Sequence, residues 1–136
     1  RDGKWGYDEA SQAGTDVYFD RCNRETLLIP QCETRGCLEH IEEILSMDGV
    51  DGIFVGPFDL SIALGHPMEF DCPEMRAALD RILAACKKYN KMSFIFCGDA
   101  QTARKRASEG YDSVTTGLDA LALIESYRAM VRDIRA

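Results

Sequence analysis

Hydrophobic residues along this chain alternate between short apolar runs and stripes spaced by three or four residues. The short runs predict strands over residues 26–33, 50–55, 92–97 and 113–117. The stripes predict helices over residues 16–24, 34–47, 72–89, 100–109 and 120–135. Residues 1–11 have no clear period and are predicted to form a loop. Strands that alternate with helices at this repeat length predict an α/β fold of parallel strands joined by right-handed crossovers.

The number of repeats limits the architecture. Four strand–helix units are too few to close a TIM barrel, which needs eight. The pattern therefore leaves two alternatives, a small open α/β sheet or one half of a barrel whose other half is absent from this sequence. At 136 residues the chain has the size of one ordinary domain.

Composition and charge exclude several classes of partner. The formal net charge is −7 and the basic residues are scattered among acids, which argues against a nucleic-acid or anionic-membrane surface. No apolar run reaches the roughly 18 residues of a membrane helix, and the first residues have no signal-peptide core, so a cytoplasmic location is predicted. The six cysteines include no C-x-x-C pair, which predicts buried or half-buried free thiols rather than zinc ligands or disulfides.

Two acids follow consecutive predicted strands. Glu33 closes the first strand, and Asp59 lies just beyond the second, after Gly56-Pro57 breaks it. If neighbouring parallel strands carry them, both carboxylates reach the same edge of the sheet and could bind one divalent ion such as magnesium or manganese. The spacing alone favours ordinary helix caps or solvated loop acids over a metal site.

The turn around Gly56 is the second candidate feature. A glycine-led turn that enters a helix exposes backbone N–H groups, here those of Phe58 and Asp59, which could bind a carboxylate or a phosphate. The histidines offer less, because His40 is predicted on a solvated helix face and His66 in a loop without an evident partner. Neither Ser61 nor any cysteine has the sequence context of an activated nucleophile.

The motifs together resemble a known family. The string Gly52-x-Phe54-x-Gly56-Pro57-x-Asp59-Leu60-Ser61, at its distance from Gln31-x-Glu33, resembles the class II pyruvate aldolases of the HpcH/HpaI type. The resemblance covers nearly the whole chain. It implies that residues 1–136 are a single partial domain, the C-terminal half (strands five to eight) of a TIM barrel.

The resemblance also implies a chemistry. Glu33 and Asp59 would be the protein ligands of Mg²⁺, Mn²⁺ or Co²⁺, and the N–H groups of Phe58 and Asp59, beside Gly56 and Pro57, would hold the carboxylate of a small keto acid. Phe54 would pack behind that carboxylate. The expected reaction is cleavage of a 4-hydroxy-2-oxo acid to pyruvate and an aldehyde.

The resemblance leaves part of the machinery outside this chain. The family's proton-transfer His-Asp pair and its keto-acid Arg belong to the N-terminal half, so no catalytic residue is expected here and the isolated chain is predicted to be inactive. Family members commonly have a small residue in place of Phe58, which puts the pocket shape in question.

Other readings remain open alongside the aldolase. Unpaired edge strands and the apolar stripe from Leu123 to Ile134 predict a homo-oligomer. The alternatives to an aldolase are a citrate-lyase or malyl-CoA-type lyase, and a truncated, non-catalytic chain that persists by assembly.

Overall fold

The computed structural model describes residues 14–136, so the loop predicted over residues 1–11 lies outside the described part. The helices are α1 (Thr15–Glu25), α2 (Arg35–Glu39), α3 (Ile41–Ser46), α4 (Pro57–Leu64), α5 (Pro73–Tyr89), α6 (Ala100–Glu109) and α7 (Asp119–Arg135). The strands are β1 (Gln31–Cys32), β2 (Gly52–Val55), β3 (Met92–Cys97) and β4 (Ser113–Thr116). None of the described helices is both long enough and apolar enough to cross a membrane.

The four strands form one parallel sheet in the order β1-β2-β3-β4, as the alternating pattern predicts. Residue pairs across the register face the same side of the sheet. One face carries side chains that are only half-buried or exposed, among them Gln31, Phe54 and Phe94, which stand in one row across the first three strands. The other face carries the buried residues Cys32, Val55 and Ile95.

The core lies on this second face. Buried side chains from α2 to α6 form a single cluster with the buried strand residues, and Ile41, Leu60, Met75 and Ile82 are fully buried in it. A doubly wound sheet carries helices on both faces. Strands in sequential order with a helical core on one face are the pattern of consecutive units of a barrel, whose other face points inward.

The first predicted strand is largely wrong. Only Gln31 and Cys32 are strand residues, while Leu27 and Leu28 lie in an irregular segment and are more than half exposed. Pro30 has no N–H to donate, although its carbonyl still accepts the N–H of Phe54 at 2.9 Å. The segment before Gln31 therefore runs beside β2 but does not form a continuous ladder of hydrogen bonds with it.

The helix predicted over residues 34–47 is divided in two. Thr34 caps α2 as predicted, with its hydroxyl accepting the N–H of Cys37 at 3.1 Å. The chain leaves helical geometry at His40, where φ is −103° and ψ is 19°. Arg81 of α5 donates to the carbonyl of Glu39 at 3.1 Å, so a carbonyl at the break has a partner from another helix.

The second half of the chain follows the prediction closely. Strand β3 and helix α6 have the predicted bounds, Asp99 caps α6 through the N–H of Thr102, and Gly110 ends it with a φ of 99°. The Asp112 carboxylate accepts hydrogen bonds from the N–H and hydroxyl of Ser93, both at 2.8 Å, which joins β3 to the start of β4. These hydrogen bonds lower the pKa of Asp112 below its ordinary value.

Candidate functional site

Glu33 stands at the carboxyl end of β1, as predicted, and is half-buried. The amide of Gln31 donates to its Oε2 atom at 2.6 Å. Because Gln31 and Glu33 are separated by one residue, their side chains leave the same face of the strand. The sequence motif contains Gln31 but indicates no role for it. In the structure, Gln31 is the residue that orients Glu33.

Gly56 is where the end of β1 meets the end of β2. Its N–H donates to the Cys32 carbonyl at 3.2 Å. A Cβ atom added to Gly56 would lie 2.8 Å from the Gln31 amide nitrogen and 3.1 Å from Glu33 Oε2. The absence of a side chain at residue 56 therefore lets the Glu33 carboxylate lie directly against the start of α4.

Helix α4 follows the Gly56 turn directly; the turn was predicted to enter a helix, but this helix was not among those whose bounds were predicted. Pro57 is the first helical residue, where a fixed φ and a missing N–H are both tolerated. Asp59 lies in the first turn of this helix rather than in a turn before it. The helix begins within three residues of β2, and the Gly-Pro pair that ends the strand also starts the helix.

The N-terminus of α4 has no side-chain cap. The Leu60 N–H donates to the Gly56 carbonyl at 3.0 Å, so the preceding N–H groups of Phe58 and Asp59 have no intrahelical acceptor. The positive end of a helix dipole with such N–H groups is suited to a carboxylate or phosphate. The side chain of Phe58 is 50% exposed and Asp59 is also exposed, so this end of the helix is open to solvent.

Two interactions hold α4 from its sides. The hydroxyl of the fully buried Ser61 donates to the Phe58 carbonyl at 2.6 Å and accepts the Met68 N–H at 3.0 Å. Arg35 of α2 donates to the Ala63 carbonyl at 3.0 Å. Sequence reasoning considered Ser61 only as a nucleophile. The structure gives it a positioning role, which the Asp-Leu-Ser string alone does not reveal.

Phe54 lies on the face of the sheet that is not covered by the helical core, in register with Gln31 and Phe94. It is half-buried. Its ring therefore shares a face with the Gln31 side chain that orients Glu33.

Burial disfavours the nucleophilic thiolate form of two cysteines at the strand ends, Cys32 and Cys97. Burial, followed by the neighbouring Cys37 thiol, raises the pKa of Cys32 far above its ordinary value. Burial likewise raises the pKa of Cys97 at the end of β3. Cys32, Cys86 and Cys97 are buried free thiols, and Cys22, Cys37 and Cys72 are half-buried, as the sequence predicts.

His66 is not isolated, contrary to expectation. Its Nδ1 atom lies 3.8 Å from a Glu69 carboxylate oxygen, and its Nε2 atom lies 3.6 Å from Glu74. His40 is exposed, as predicted, and its Nδ1 atom lies 3.0 Å from Glu43.

The fit to a divalent cation rests on the donor set and on the space above Gly56. Glu33 and Asp59 supply carboxylate oxygens, the ligands that Mg²⁺ and Mn²⁺ prefer. The glycine leaves room for the Glu33 carboxylate that a Cβ atom would restrict. These features are compatible with the metal ligands that the family resemblance implies at this edge.

Comparison with known proteins finds one consistent group. A family model described as HpcH/HpaI aldolase/citrate lyase matches residues 8–126. A hydroxypyruvate/pyruvate aldolase of Rhizorhabdus wittichii is 36% identical over 121 residues, which are 88% of this chain and 48% of that protein. A 4-hydroxy-2-oxo-heptane-1,7-dioate aldolase of Klebsiella pneumoniae is 32% identical over 113 residues, 83% of this chain and 43% of that protein. The chain thus spans about half the length of the curated relatives it matches.

Solved structures agree with this grouping. An HpcH/HpaI aldolase/citrate lyase family protein from Burkholderia cenocepacia superposes with a TM-score of 0.81 at 32% identity, covering 98% of this chain and 52% of that one. The CitE protein of Mycobacterium tuberculosis, whose structure contains magnesium and acetoacetate, has a TM-score of 0.56 at 21% identity and covers 68% of this chain and 44% of its own. The second likeness shows the fold alone. These neighbours are TIM-barrel-type proteins, so the four strands are part of such a barrel.

Proposed function

This chain belongs to the HpcH/HpaI aldolase/citrate lyase family, and from that membership we propose that it forms the metal-binding and carboxylate-binding part of an aldolase. The proposed reaction cleaves a 4-hydroxy-2-oxo acid into pyruvate and an aldehyde. We assign the chain to the C-terminal half of the barrel, strands five to eight.

The contact between Glu33 and Gly56 carries this proposal. The Glu33 carboxylate lies against Gly56, the residue that precedes α4, and Asp59 stands three residues further along in the first turn of that helix. Two acids from consecutive strand ends therefore lie at the same carboxyl edge of the sheet, where TIM barrels have their active sites. The Gln31 amide directs the Glu33 carboxylate to this point.

Glu33 and Asp59 would hold a divalent cation such as Mg²⁺, Mn²⁺ or Co²⁺. When bound, the cation supplies Lewis-acid polarisation of a keto oxygen as negative charge develops there. The two acids leave coordination positions for water and for the keto acid, because Mg²⁺ and similar ions take about six oxygen ligands. The CitE structure with magnesium and acetoacetate supports a hard divalent ion in this fold family.

The start of α4 would bind the carboxylate of the keto acid. The N–H groups of Phe58 and Asp59 precede the first intrahelical hydrogen bond and are available as donors. Gly56 has no side chain and Pro57 has no N–H, so neither competes for an acceptor here, and Phe54 lies on the neighbouring open face of β2. The Phe58 ring is half exposed, which is compatible with a ring that turns away from a small carboxylate.

The proton-transfer groups are assigned to the rest of the barrel. The chain spans about half the length of its relatives, and the site described above binds and orients a keto acid without supplying a base. The activity is therefore a property of the whole barrel, and this chain on its own is expected to bind without turnover.

We also propose that the protein is a homo-oligomer. Helix α7 has no buried residue, and its apolar side chains remain exposed, with Tyr127 at 60% and Ile134 at 77%. A row of exposed apolar side chains along a helix is typical of a protein–protein interface. The neighbouring subunit of the same protein is the proposed partner, and no partner beyond the keto acid is otherwise proposed.

The proposal is tested by keto-acid binding in the presence of Mn²⁺. Bound Mn²⁺ enhances the relaxation of water protons, and pyruvate that displaces coordinated water should reduce this enhancement. Lactate, which has no keto oxygen, should have a much weaker effect. The Glu33→Gln protein should show no enhancement, whereas Phe58→Ala should keep the response because its backbone N–H is unchanged. A pyruvate effect that persists in Glu33→Gln, or that lactate equals, would reject the proposed site. An effect of acetyl-CoA but not of pyruvate would favour the citrate-lyase-type alternative.

A further inference from the structure

A second group of metal-ligand side chains lies in the connection between α4 and α5. Ligand atoms of His66, Cys72 and Glu74 lie within 4.8 Å of one another, and this is the one such group of three among residues 14–136. The sequence predicted no zinc site, because it has no C-x-x-C pair. His66 and Cys72 are separated by five residues and form no such pair. We propose that these three residues bind a zinc ion, at a site separate from Glu33 and Asp59.

The backbone already brings the three residues together. The His66 N–H donates to the Ser61 carbonyl at 2.9 Å, which attaches this residue to the end of α4. Two successive turns follow. In the first, the Glu69 N–H donates to the backbone carbonyl of His66 at 3.0 Å, and in the second, the Cys72 N–H donates to the backbone carbonyl of Glu69 at 3.2 Å. Cys72 then caps α5, and Glu74 lies in the first turn of that helix. The positions of the donors therefore follow from the fold, and an ion would not have to order a flexible loop.

The distances suit tetrahedral coordination. Ligand bonds of about 2.0–2.3 Å place neighbouring tetrahedral ligand atoms about 3.3–3.5 Å apart. His66 Nε2 and the Glu74 carboxylate are separated by 3.6 Å. The two separations that involve the Cys72 sulfur are at most 4.8 Å, and rotations of the His66 and Glu74 side chains, which are 33% and 55% exposed, would shorten them. A water molecule would take the fourth position.

The donor types select zinc over the ion proposed for Glu33 and Asp59. A thiolate, an imidazole and a carboxylate form a mixed, softer ligand set that suits zinc, whereas two carboxylates alone suit magnesium or manganese. Binding replaces the S–H bond of Cys72 by an S–Zn bond, and the thiol proton leaves to solvent. The Cys72 sulfur accepts the Met75 N–H at 3.4 Å, an interaction that also stabilises a negatively charged sulfur.

Glu69 lies beside the His66 ring and would not itself bind the ion. Its carboxylate lies 3.8 Å from His66 Nδ1, on the opposite side of the ring from Glu74. Metal-bound histidines usually donate their second N–H to a carboxylate, which fixes the ring orientation. The 3.8 Å separation is longer than a hydrogen bond, and we expect it to shorten when the imidazole binds the ion.

The site would connect two helices. His66 is attached to the helix that carries Asp59, and Cys72 and Glu74 begin α5, whose buried stripe is a large part of the core. An ion bound between them would hold the loop after α4 in place. Its role is therefore structural, and the proposal does not depend on the aldolase assignment.

Cobalt binding tests this site directly, because Co²⁺ bound to a cysteine thiolate gives a charge-transfer absorption band in the near ultraviolet that oxygen ligands do not give. The purified protein should bind one Co²⁺ with this band, and Zn²⁺ should displace the cobalt. The Cys72→Ser protein should lose the band while keeping the fold, because serine is a preferred N-cap residue and replaces the sulfur that caps α5. Circular dichroism checks that α5 is intact.

Matched variants separate this site from the others. Cys22→Ser, at a half-buried thiol of α1, should keep the band, as should Glu33→Gln and Asp59→Asn. His66→Gln should weaken zinc affinity by at least about tenfold, and Glu69→Gln by about tenfold, the range for an outer carboxylate. A band that is absent from the unsubstituted protein, or that survives in a folded Cys72→Ser protein, would overturn the zinc site. The zinc site would also be overturned if the protein bound cobalt without showing the band and if Glu33→Gln abolished that binding. This outcome would leave the proposed aldolase site standing.

Discussion

Replacing Gly56 by alanine perturbs the predicted metal site with little change to the rest of the fold. The new Cβ atom would lie 2.8 Å from the Gln31 amide nitrogen, 3.1 Å from Glu33 Oε2 and 3.3 Å from Glu33 Cβ. Because non-bonded heavy atoms favour separations of about 3.5 Å or more, the Gln31 amide must move by about 0.7 Å and the Glu33 carboxylate by about 0.4 Å. The backbone itself is not strained, because φ at residue 56 is −100°.

A shift of this size matters more for binding than for stability. The Gln31 amide is the end of a flexible side chain and can rotate away. A glycine-to-alanine change at an unstrained position also stabilises the folded state by about 0.4–1 kcal/mol, because it reduces the conformational entropy of the unfolded chain. We therefore expect the free energy of unfolding to change by less than about 1 kcal/mol. Functional ligands must be held within about 0.5 Å, so the Kd for Mn²⁺ should rise about three- to tenfold, or about 0.7–1.4 kcal/mol.

Isothermal titration with Mn²⁺ and thermal unfolding measure the two effects on the same sample. Gly98→Ala is the matched control, because Gly98 also follows a strand end but has open space around its added Cβ atom and no positive φ. This control should leave Mn²⁺ affinity unchanged. An unchanged Kd in Gly56→Ala, or an equal loss in Gly98→Ala, would refute the claim that Glu33 is positioned against Gly56 to bind the ion.

Further predictions concern assembly and stability. Aspartate in place of Tyr127 and Val131, which are 60% and 43% exposed on α7, should convert the oligomer to monomers in light scattering, and monomers already present in the unsubstituted protein would contradict this. Ile82→Ala should reduce the free energy of unfolding by about 2–5 kcal/mol in denaturant titrations, because Ile82 is fully buried; a loss below 1 kcal/mol would contradict the packing. Arg81 binds Glu42 through two hydrogen bonds of 2.6 and 2.9 Å and lowers the pKa of Glu42 from 4.5 to about 2. The exposed pair should contribute about 0.5 kcal/mol, present above pH 4.5 and lost as the pH falls through about 2, so the difference in Tm between the unsubstituted and Glu42→Gln proteins should disappear in acid.

The elements with strong local signals were predictable from the sequence. Strand β3 and helix α6 have unambiguous patterns, a cap at Asp99 and a stop at Gly110, and the structure has them where predicted. The apolar run before Cys32 was not a strand, because burial and pairing depend on neighbours that a local pattern does not contain. The carbonyl beside the break at His40 likewise finds its partner in Arg81, which is 41 residues away from His40 in the chain.

Helix starts were the least predictable features near the site. The Gly56-Pro57 pair indicates a break, and the same proline is also favoured at the first position of a helix, so the sequence permits both outcomes. Helix α5 begins one residue later than predicted and is capped by the thiol of Cys72, whereas the preceding acid, Asp71, pairs with Lys105 at 2.8 Å. Helix α7 begins at Asp119, one residue earlier than predicted, and the Asp119 carboxylate accepts the Ala120 N–H.

The candidate site was predictable as a list of residues but not as an arrangement. Spacing placed Glu33 and Asp59 after consecutive strands, and parallel pairing of those strands follows from the helix between them. The Gln31 hydrogen bond, the contact with Gly56 and the support from Ser61 depend on side-chain geometry that spacing does not specify. The His66, Cys72 and Glu74 group was missed for the same reason.

Mn²⁺ titration of the two carboxylate variants tests the central claim most directly. The unsubstituted protein should bind one Mn²⁺ with an affinity that is lost in Glu33→Gln and in Asp59→Asn, and the double variant should be no worse than either, because two ligands of one ion act together. The Cys72→Ser protein should bind Mn²⁺ normally. Unchanged Mn²⁺ affinity in either Glu33→Gln or Asp59→Asn, with the fold intact, would contradict the shared site.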